Sequence, residues 1–259
     1  RLDAAQLRAL SQLAPGRIAL AIGSTWAVLL LAVAGALAAP LWALVPLAVV
    51  IGNRQYALLL LVHEASDYLF SRDRKPNDRI VNWACAYPIG ITVERYREVH
   101  LEHHRHVGTE ADPDFEYYRE RVTPRLLLRT ILVGLFGLKG MITVLFYFFP
   151  RFAARYHPSL EGRSSFQASP LGRQLAGVAA AQLVILGGLT LLGRPLLYLG
   201  MWLLPLLTLV PLANQLRTLA EHASLDGTPI TRTVTTSMVG RVVLAPFLFF
   251  YHHEHHLHP

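Results

Sequence analysis

One cysteine, Cys85, stands among 259 residues. A lone thiol leaves no intrachain disulfide, no CxxC metal site and no thiolate set for an iron–sulfur cluster. Charge is also scarce. Only 16% of residues are Asp, Glu, Lys or Arg, against about 25% in a typical soluble domain. The sequence has no GxGxxG dinucleotide loop, no haem-binding HPGG segment and no nucleic-acid-binding module. What fills the chain instead is apolar: 53% of residues are hydrophobic, and they are gathered into long runs. That pattern reads as an all-α integral membrane protein. It forms a single membrane-embedded domain over residues 1–259, with no internal repeat. The first residue is Arg1 rather than Met and the last follows directly on a motif, so both termini are expected to be trimmed.

Four runs are long enough to cross about 30 Å of hydrocarbon. They cover residues 18–39, 41–70, 174–192 and 196–212. The second keeps helical character to Phe70, a length of about 45 Å, so its last turns should stand out of the bilayer. Residues 81–93 are apolar but short, which suits a re-entrant or interfacial segment. Residues 126–149 are long enough but contain Arg129 and Lys139. If they lie in the interface, every histidine cluster falls on one face. Basic residues support that count. The connections around Pro40 and Gly193 contain only Arg194. Fourteen lysines and arginines from Arg72 to Arg173, leaving aside Arg129 and Lys139, lie on the histidine side. By the positive-inside rule that side is cytoplasmic, capped by histidine-rich segments, and residues 156–173 form a cytoplasmic loop. The net charge of +7 fits orientation, anionic lipid or an acidic carrier or donor protein.

Eleven of the twelve histidines fall in four places. HEASD (63–67) puts His63 and Asp67 four apart, on one helix face. HLEHHRH (100–106) gives His100, His103 and His104 the i, i+3, i+4 spacing. Glu221-His222 follows the fourth run. HHEHH (252–256), with His258 just beyond it, repeats the spacing with His252, His255 and His256. The twelfth, His157, reads as an ordinary surface residue. Each cluster alone has a bland reading as a solvated tail or a snorkelling side chain. Together, on one membrane face, they read as metal ligands. Imidazoles and a carboxylate without thiolate suit iron, zinc, copper or manganese. Eight imidazoles and one carboxylate exceed the need of one ion, so two are expected. Glu64, Glu102, Glu221 and Glu254 each adjoin a ligand, in the position of carboxylates that orient imidazoles from behind.

The boxes HEASD, HLEHH and HHEHH resemble the HxxxH, HxxHH and HxxHH boxes of the integral-membrane fatty acid desaturase superfamily. RKPND (74–78), GTEADPDF (108–115, with Asp112) and NQLRTLAEH (214–222) are similar to further segments of that family, and the resemblance runs from about Arg54 to Pro259. It implies two non-haem irons, O2 as co-substrate, and a lipid or acyl substrate that is free or bound to CoA, a carrier or a phospholipid. It also implies electrons from a separate protein of ferredoxin or cytochrome b5 type. Asp67 departs from the pattern, which has histidine there. Aspartate is a competent iron ligand and would lower the charge of the centre. Trp83, Tyr87, Trp202 and Phe250 are candidate substrate-lining residues.

The leading expectation is a fatty acyl desaturase. Related outcomes on the same centre are a hydroxylase, a carotenoid ketolase or hydroxylase, and an oxidative decarboxylase; GTEADPDF and HHEHHLHP also resemble carotenoid ketolases. A non-enzymatic metal transporter ranks last. It would need polar residues within several spans, and only Asn53-Arg54-Gln55 qualifies.

Overall fold

The computed structural model of the chain describes residues 12–148, 171–223, 231–243, 246–248 and 251–257. Every regular element among them is helical. Four helices are long and apolar enough to cross a membrane: Pro15–Ala38 (α1), Leu41–Ser66 (α2), Gln174–Leu191 within Leu171–Leu191 (α8), and Tyr198–His222. The last begins as a π-helical segment, Tyr198–Leu203, and continues as Leu204–His222 (α9). Between α2 and α8 lie Arg74–Val81 (α3), Val93–His106 (α4), Phe115–Tyr118 (α5), Pro124–Leu135 (α6) and Leu138–Phe148 (α7). Met238–Val243 (α10) and His252–Leu257 (α11) complete the described order.

The second span is the core. Half of its most apolar window is buried inside the protein, against 17% for α1. It packs on α1, α4 and α9. The approach to α9 is close at Gly52, where a Cβ would meet Leu209 Cβ at 2.9 Å and Pro205 Cβ at 3.2 Å. Gln55, polar at mid-span, donates to the carbonyl of Trp202 at 2.9 Å, inside the π-helical segment. Helix α2 ends at Ser66 rather than running to Phe70. Asp67 is its cap and Tyr68 turns left-handed, at φ 61.

Residues 82–92 are not a span. Asn82 Oδ1 accepts from the N–H of Val93 at 2.9 Å, so the segment enters and leaves at one level. In between it is a π turn, Asn82–Ala86, then a 3-10 turn, Tyr87–Ile89, reversed by Gly90 at φ 78. Irregular backbone at membrane depth survives only where protein satisfies its carbonyls. Here Trp26 takes the carbonyl of Ala84 at 2.7 Å, Trp202 that of Pro88 at 3.2 Å, and Gln182 those of Tyr87 and Pro88 at 3.0 and 2.9 Å. Helices α6 and α7 pack on α9. They meet at a bend of 69°, made at Gly137 with φ 72. Each arm is only about 17 Å long at 1.5 Å per residue, so 126–149 is not one straight span. Residues 149 and 156–170 lie outside the described residues.

The contact at Gly52 makes a test. Gly52→Ala should destabilise the protein by about 1–3 kcal/mol through overpacking, although alanine is the better helix former. Gly23→Ala, where nothing lies within 4 Å of the new Cβ, should be neutral or stabilising. Thermal unfolding of the detergent-purified protein reads both.

Candidate metal centre

The C-terminal ends of α2 and α9 meet α4 and the short α11 at one end of the bundle. Two groups of side chains converge there. One comprises His63, Asp67, His100 and His255; the other comprises His103, His222, His252 and His256. Within each group the four ligand atoms all lie within 4.8 Å of one another. Each group draws on three separate segments. Helix α4 serves both because His100 and His103 lie near one another on its face, while α11 sends His255 one way and His252 and His256 the other. His104 stands between the groups. Its ring is 4.4 Å from that of His100, 4.6 Å from His255 and 4.2 Å from His256, on which it stacks.

Three of the close contacts in and beside the groups are nitrogen to nitrogen. His252 Nε2 lies 2.8 Å from His222 Nε2 and 3.0 Å from His256 Nε2; His104 Nε2 lies 2.9 Å from His255 Nε2. A neutral imidazole has one N–H and one lone pair. Three nitrogens meeting at His252 cannot all be satisfied by the single protons available, so lone pairs are left facing one another. A cation relieves that arrangement. The helix ends favour it too, because His63 and His222 sit in the last turns of α2 and α9, where the helix dipole is negative.

The acidic residues divide. Asp67 Oδ2 lies 3.3 Å from His100 Nε2 and 3.7 Å from His255 Nε2. Asp112 accepts from His103 Nδ1 at 3.0 Å through both oxygens, and from Tyr118 Oη and the N–H of Asp114. That bond fixes the ring so that Nε2 presents its lone pair to the group. Glu221 Oε2 is 3.5 Å from His252 Nε2 and 2.8 Å from Arg217. Glu64 is 3.8 Å from His63 Nδ1. Glu102 pairs with Arg105 and His106, and Glu254 accepts from Thr233. Two residues beside the site have no function signal in the one-dimensional pattern: Arg217, half-buried in α9 and paired with Glu221, and Tyr118, which binds both Asp112 and the N–H of Gly108; Arg97 on α4, which as a basic residue suggests a site for a lipid or carrier headgroup, instead donates to the carbonyl of Ser66.

A profile of the fatty acid desaturase family matches residues 40–259. The chain belongs to that family. Among curated relatives, the dihydrorhizobitoxine desaturase of Bradyrhizobium elkanii is 28% identical over 84% of this chain. The sphingolipid delta(4)-desaturase DES1 of Drosophila melanogaster is 40% identical over 23% of it. The chain spans 64% of the length of the first and 19% of the second. In this desaturase-family protein Trp83 is 55% exposed and meets Tyr87 edge-on. Trp202 is buried, stacked on Trp26 with ring centroids 6.3 Å apart. Phe250 lies outside the described residues.

Burial, reinforced by neighbouring rings, holds His100 and His255 down to about 3 and His104 to about 4. His252 and His256 are also held well below the ordinary histidine value, first by burial. Burial also opposes charge on His103, but the bond to Asp112 and the nearby carboxylates outweigh it and raise this residue. Most of the cluster is therefore neutral at pH 7 and ready to donate lone pairs.

Two predictions follow from this electrostatics. In the chelated protein these five imidazoles bind fewer protons folded than unfolded. Stability should be fully present above about pH 6.5, the ordinary histidine value, and fall as pH drops from there toward 3. His103 and Asp67, both raised, act in the opposite sense and offset part of the loss. Denaturant unfolding at a series of pH values reads the slope. Separately, Asp112→Asn or Tyr118→Phe should free the ring of His103 and weaken metal binding by roughly 10–100-fold for the carboxylate and less for the phenol, read by competition with a coloured chelator.

Proposed function

We propose that this protein is an O2-dependent membrane desaturase that removes two hydrogens from adjacent carbons of a lipid acyl chain, with one iron ion held by each histidine group. The observation that carries the reading is the convergence of seven buried or half-buried imidazoles and Asp67 into two adjacent sets at the ends of membrane helices, with His104 between them. The donor set fits iron: imidazole and carboxylate without thiolate, with lone pairs turned toward one another. Two bound irons would supply the O2 chemistry that no side chain here can perform.

The balance is that of a mixed-function oxidation. Reducing O2 to two waters takes four electrons. Two come with the two hydrogens of the substrate, and two come from an external donor protein. The chain's own residues hold the site. His63, His100 and His255 with Asp67 form one set of donors; His103, His222, His252 and His256 form the other; His104 reaches toward both. Asp112 orients His103. The neutral state of the imidazoles keeps their nitrogens available. The four spans favour an apolar substrate arriving from the bilayer, its polar end resting near the basic residues. Those residues gather at the histidine-bearing end, while the opposite connections carry only Arg194. That distribution supports a cytoplasmic centre.

The test is elemental analysis of the purified protein followed by product analysis with a reconstituted electron donor. Two irons per chain and a product lacking two hydrogens are expected. A product that gains an oxygen instead would move the protein to the hydroxylases or ketolases. A protein that binds no iron would overturn the reading. His63→Ala and His256→Ala should each lose iron from one group and abolish turnover.

A further inference from the structure

Arg97 lies one turn before His100 on α4, and its side chain is buried. Its Nε donates to the carbonyl of Ser66 at 2.9 Å, and one Nη donates to that of Ala65 at 3.3 Å. These are among the last carbonyls of α2, which have no partner within the helix. The two Nη atoms also grip Asp78 of α3, at 3.1 and 2.5 Å. The guanidinium stacks 4.3 Å over the ring of Tyr68. Asn77, beside Asp78, adds a donor to the carbonyl of Ala65 at 2.8 Å. One arginine therefore ties together the end of α2, the start of the following turn, α3 and α4.

The residue between these anchors is Asp67. It caps α2 outside helical geometry, at φ −96 and ψ 17, and is followed by Tyr68 at φ 61. A non-glycine residue in the left-handed region is disfavoured and persists only where the surroundings hold it. The reason for the turn lies in reach. A carboxylate is shorter than an imidazole, so its backbone must stand closer to the centre for its oxygen to arrive. With the helix stopped at Ser66 and Asp67 outside helical geometry, Asp67 Oδ2 lies 3.3 Å from His100 Nε2, and the left-handed turn at Tyr68 then leads the chain away. We propose that Arg97, forked onto Asp78, is a positioning residue that sets the end of α2 so that Asp67 can complete the group formed with His63, His100 and His255. This rests on the reading of that group as a metal site. It adds that the aspartate depends on a clamp that a histidine at the same position would not need. Lysine cannot replace the arginine, because a single ammonium lacks the planar fork that reaches two carbonyls and a carboxylate together.

The experiment loads the purified full chain with ferrous iron under anaerobic conditions and counts iron per chain. The wild type should hold two. Arg97→Lys should hold about one, the second set of four histidines remaining loaded. The double variant Arg97→Lys with Asp67→His should return to two, since the longer imidazole reaches without the clamp. Asp78→Asn, which keeps the carbonyl bonds but discharges the fork, should weaken binding of one iron roughly 10-fold or more and leave the other unchanged. Two irons of unchanged affinity in Arg97→Lys would overturn the proposal. So would failure of Asp67→His to restore the lost iron, which would make the arginine merely structural. If Arg97→Lys does not fold, Asp78→Asn decides: unaltered binding of both irons overturns the proposal. A wild type that binds no iron would overturn the metal-centre reading and this inference with it, whereas two irons in every variant would remove the positioning role alone.

Discussion

Imidazoles packed nitrogen to nitrogen inside a protein create a problem that hydrogen bonding alone cannot solve. Around His252, three Nε2 atoms lie within 3.0 Å of a neighbour. Protonating every ring would crowd buried positive charges together. Leaving them neutral sets lone pair against lone pair. The fold accepts this because its other forces are strong: apolar spans hold the helices, and the ends of α2 and α9 contribute the negative pole of their dipoles. The cluster is thus a concentrated source of electron pairs, held where a cation would be most stabilised. That constraint explains the other polar features of this end. Asp112 spends its oxygens on His103, Tyr118 and Asp114. Glu221 pairs with Arg217, giving that buried carboxylate a counter-charge.

Positioning comes from parts of the chain that carry no ligand. The segment 82–92 enters the membrane region and returns, so α4 starts beside the end of α3 and runs beneath the ends of the spans. Its freed carbonyls are taken by Trp26, Gln182 and Trp202, one from each of the other three spans. The aromatic residues of this region therefore serve the architecture first. Trp202 in particular is a clasp: its indole binds the re-entrant turn while its own carbonyl accepts from Gln55. A polar residue at mid-span, which would suit an ion path in a transporter, is here consumed by a helix irregularity.

The spans were legible because hydrocarbon thickness imposes a length that no polar patterning can hide. Residues 18–39, 41–70, 174–192 and 196–212 correspond to the four membrane-length helices, with two instructive errors at their ends. The second helix stops at Ser66 instead of Phe70, because Arg97 and Asn77, distant in sequence, take its last carbonyls. The fourth runs on to His222 instead of ending at Leu212. Asn214, Gln215 and Arg217 look like a return to water, yet Gln215 binds the carbonyl of Tyr117 and the side chain of Lys139, and Arg217 binds Glu221. Histidine spacing revealed which residues share a helix face, but it could not reveal that the second and third boxes would each be divided between two groups. That division depends on how α11 sits across α4. The roles of Arg97, Asp78 and Tyr118 left no periodic signal at all, since each acts through tertiary hydrogen bonds rather than through helix spacing.

Asp67 shows how a change of residue type reshapes its surroundings. In the HxxxH pattern both members are long, flat donors, and a continuous helix suffices to present them. With a carboxylate in the second place, the donor is shorter and carries a negative charge. The structure answers both changes at once. The helix ends one residue earlier than the box, the chain turns left-handed at Tyr68, and burial raises the proton affinity of Asp67 against the opposing pull of His255, His104 and, behind them, Arg97. The two groups consequently differ in character: one is wholly imidazole, the other sets a carboxylate among its imidazoles with Arg97 nearby. A carboxylate oxygen is a harder donor than an imidazole nitrogen, so the two groups offer unlike surroundings to a cation.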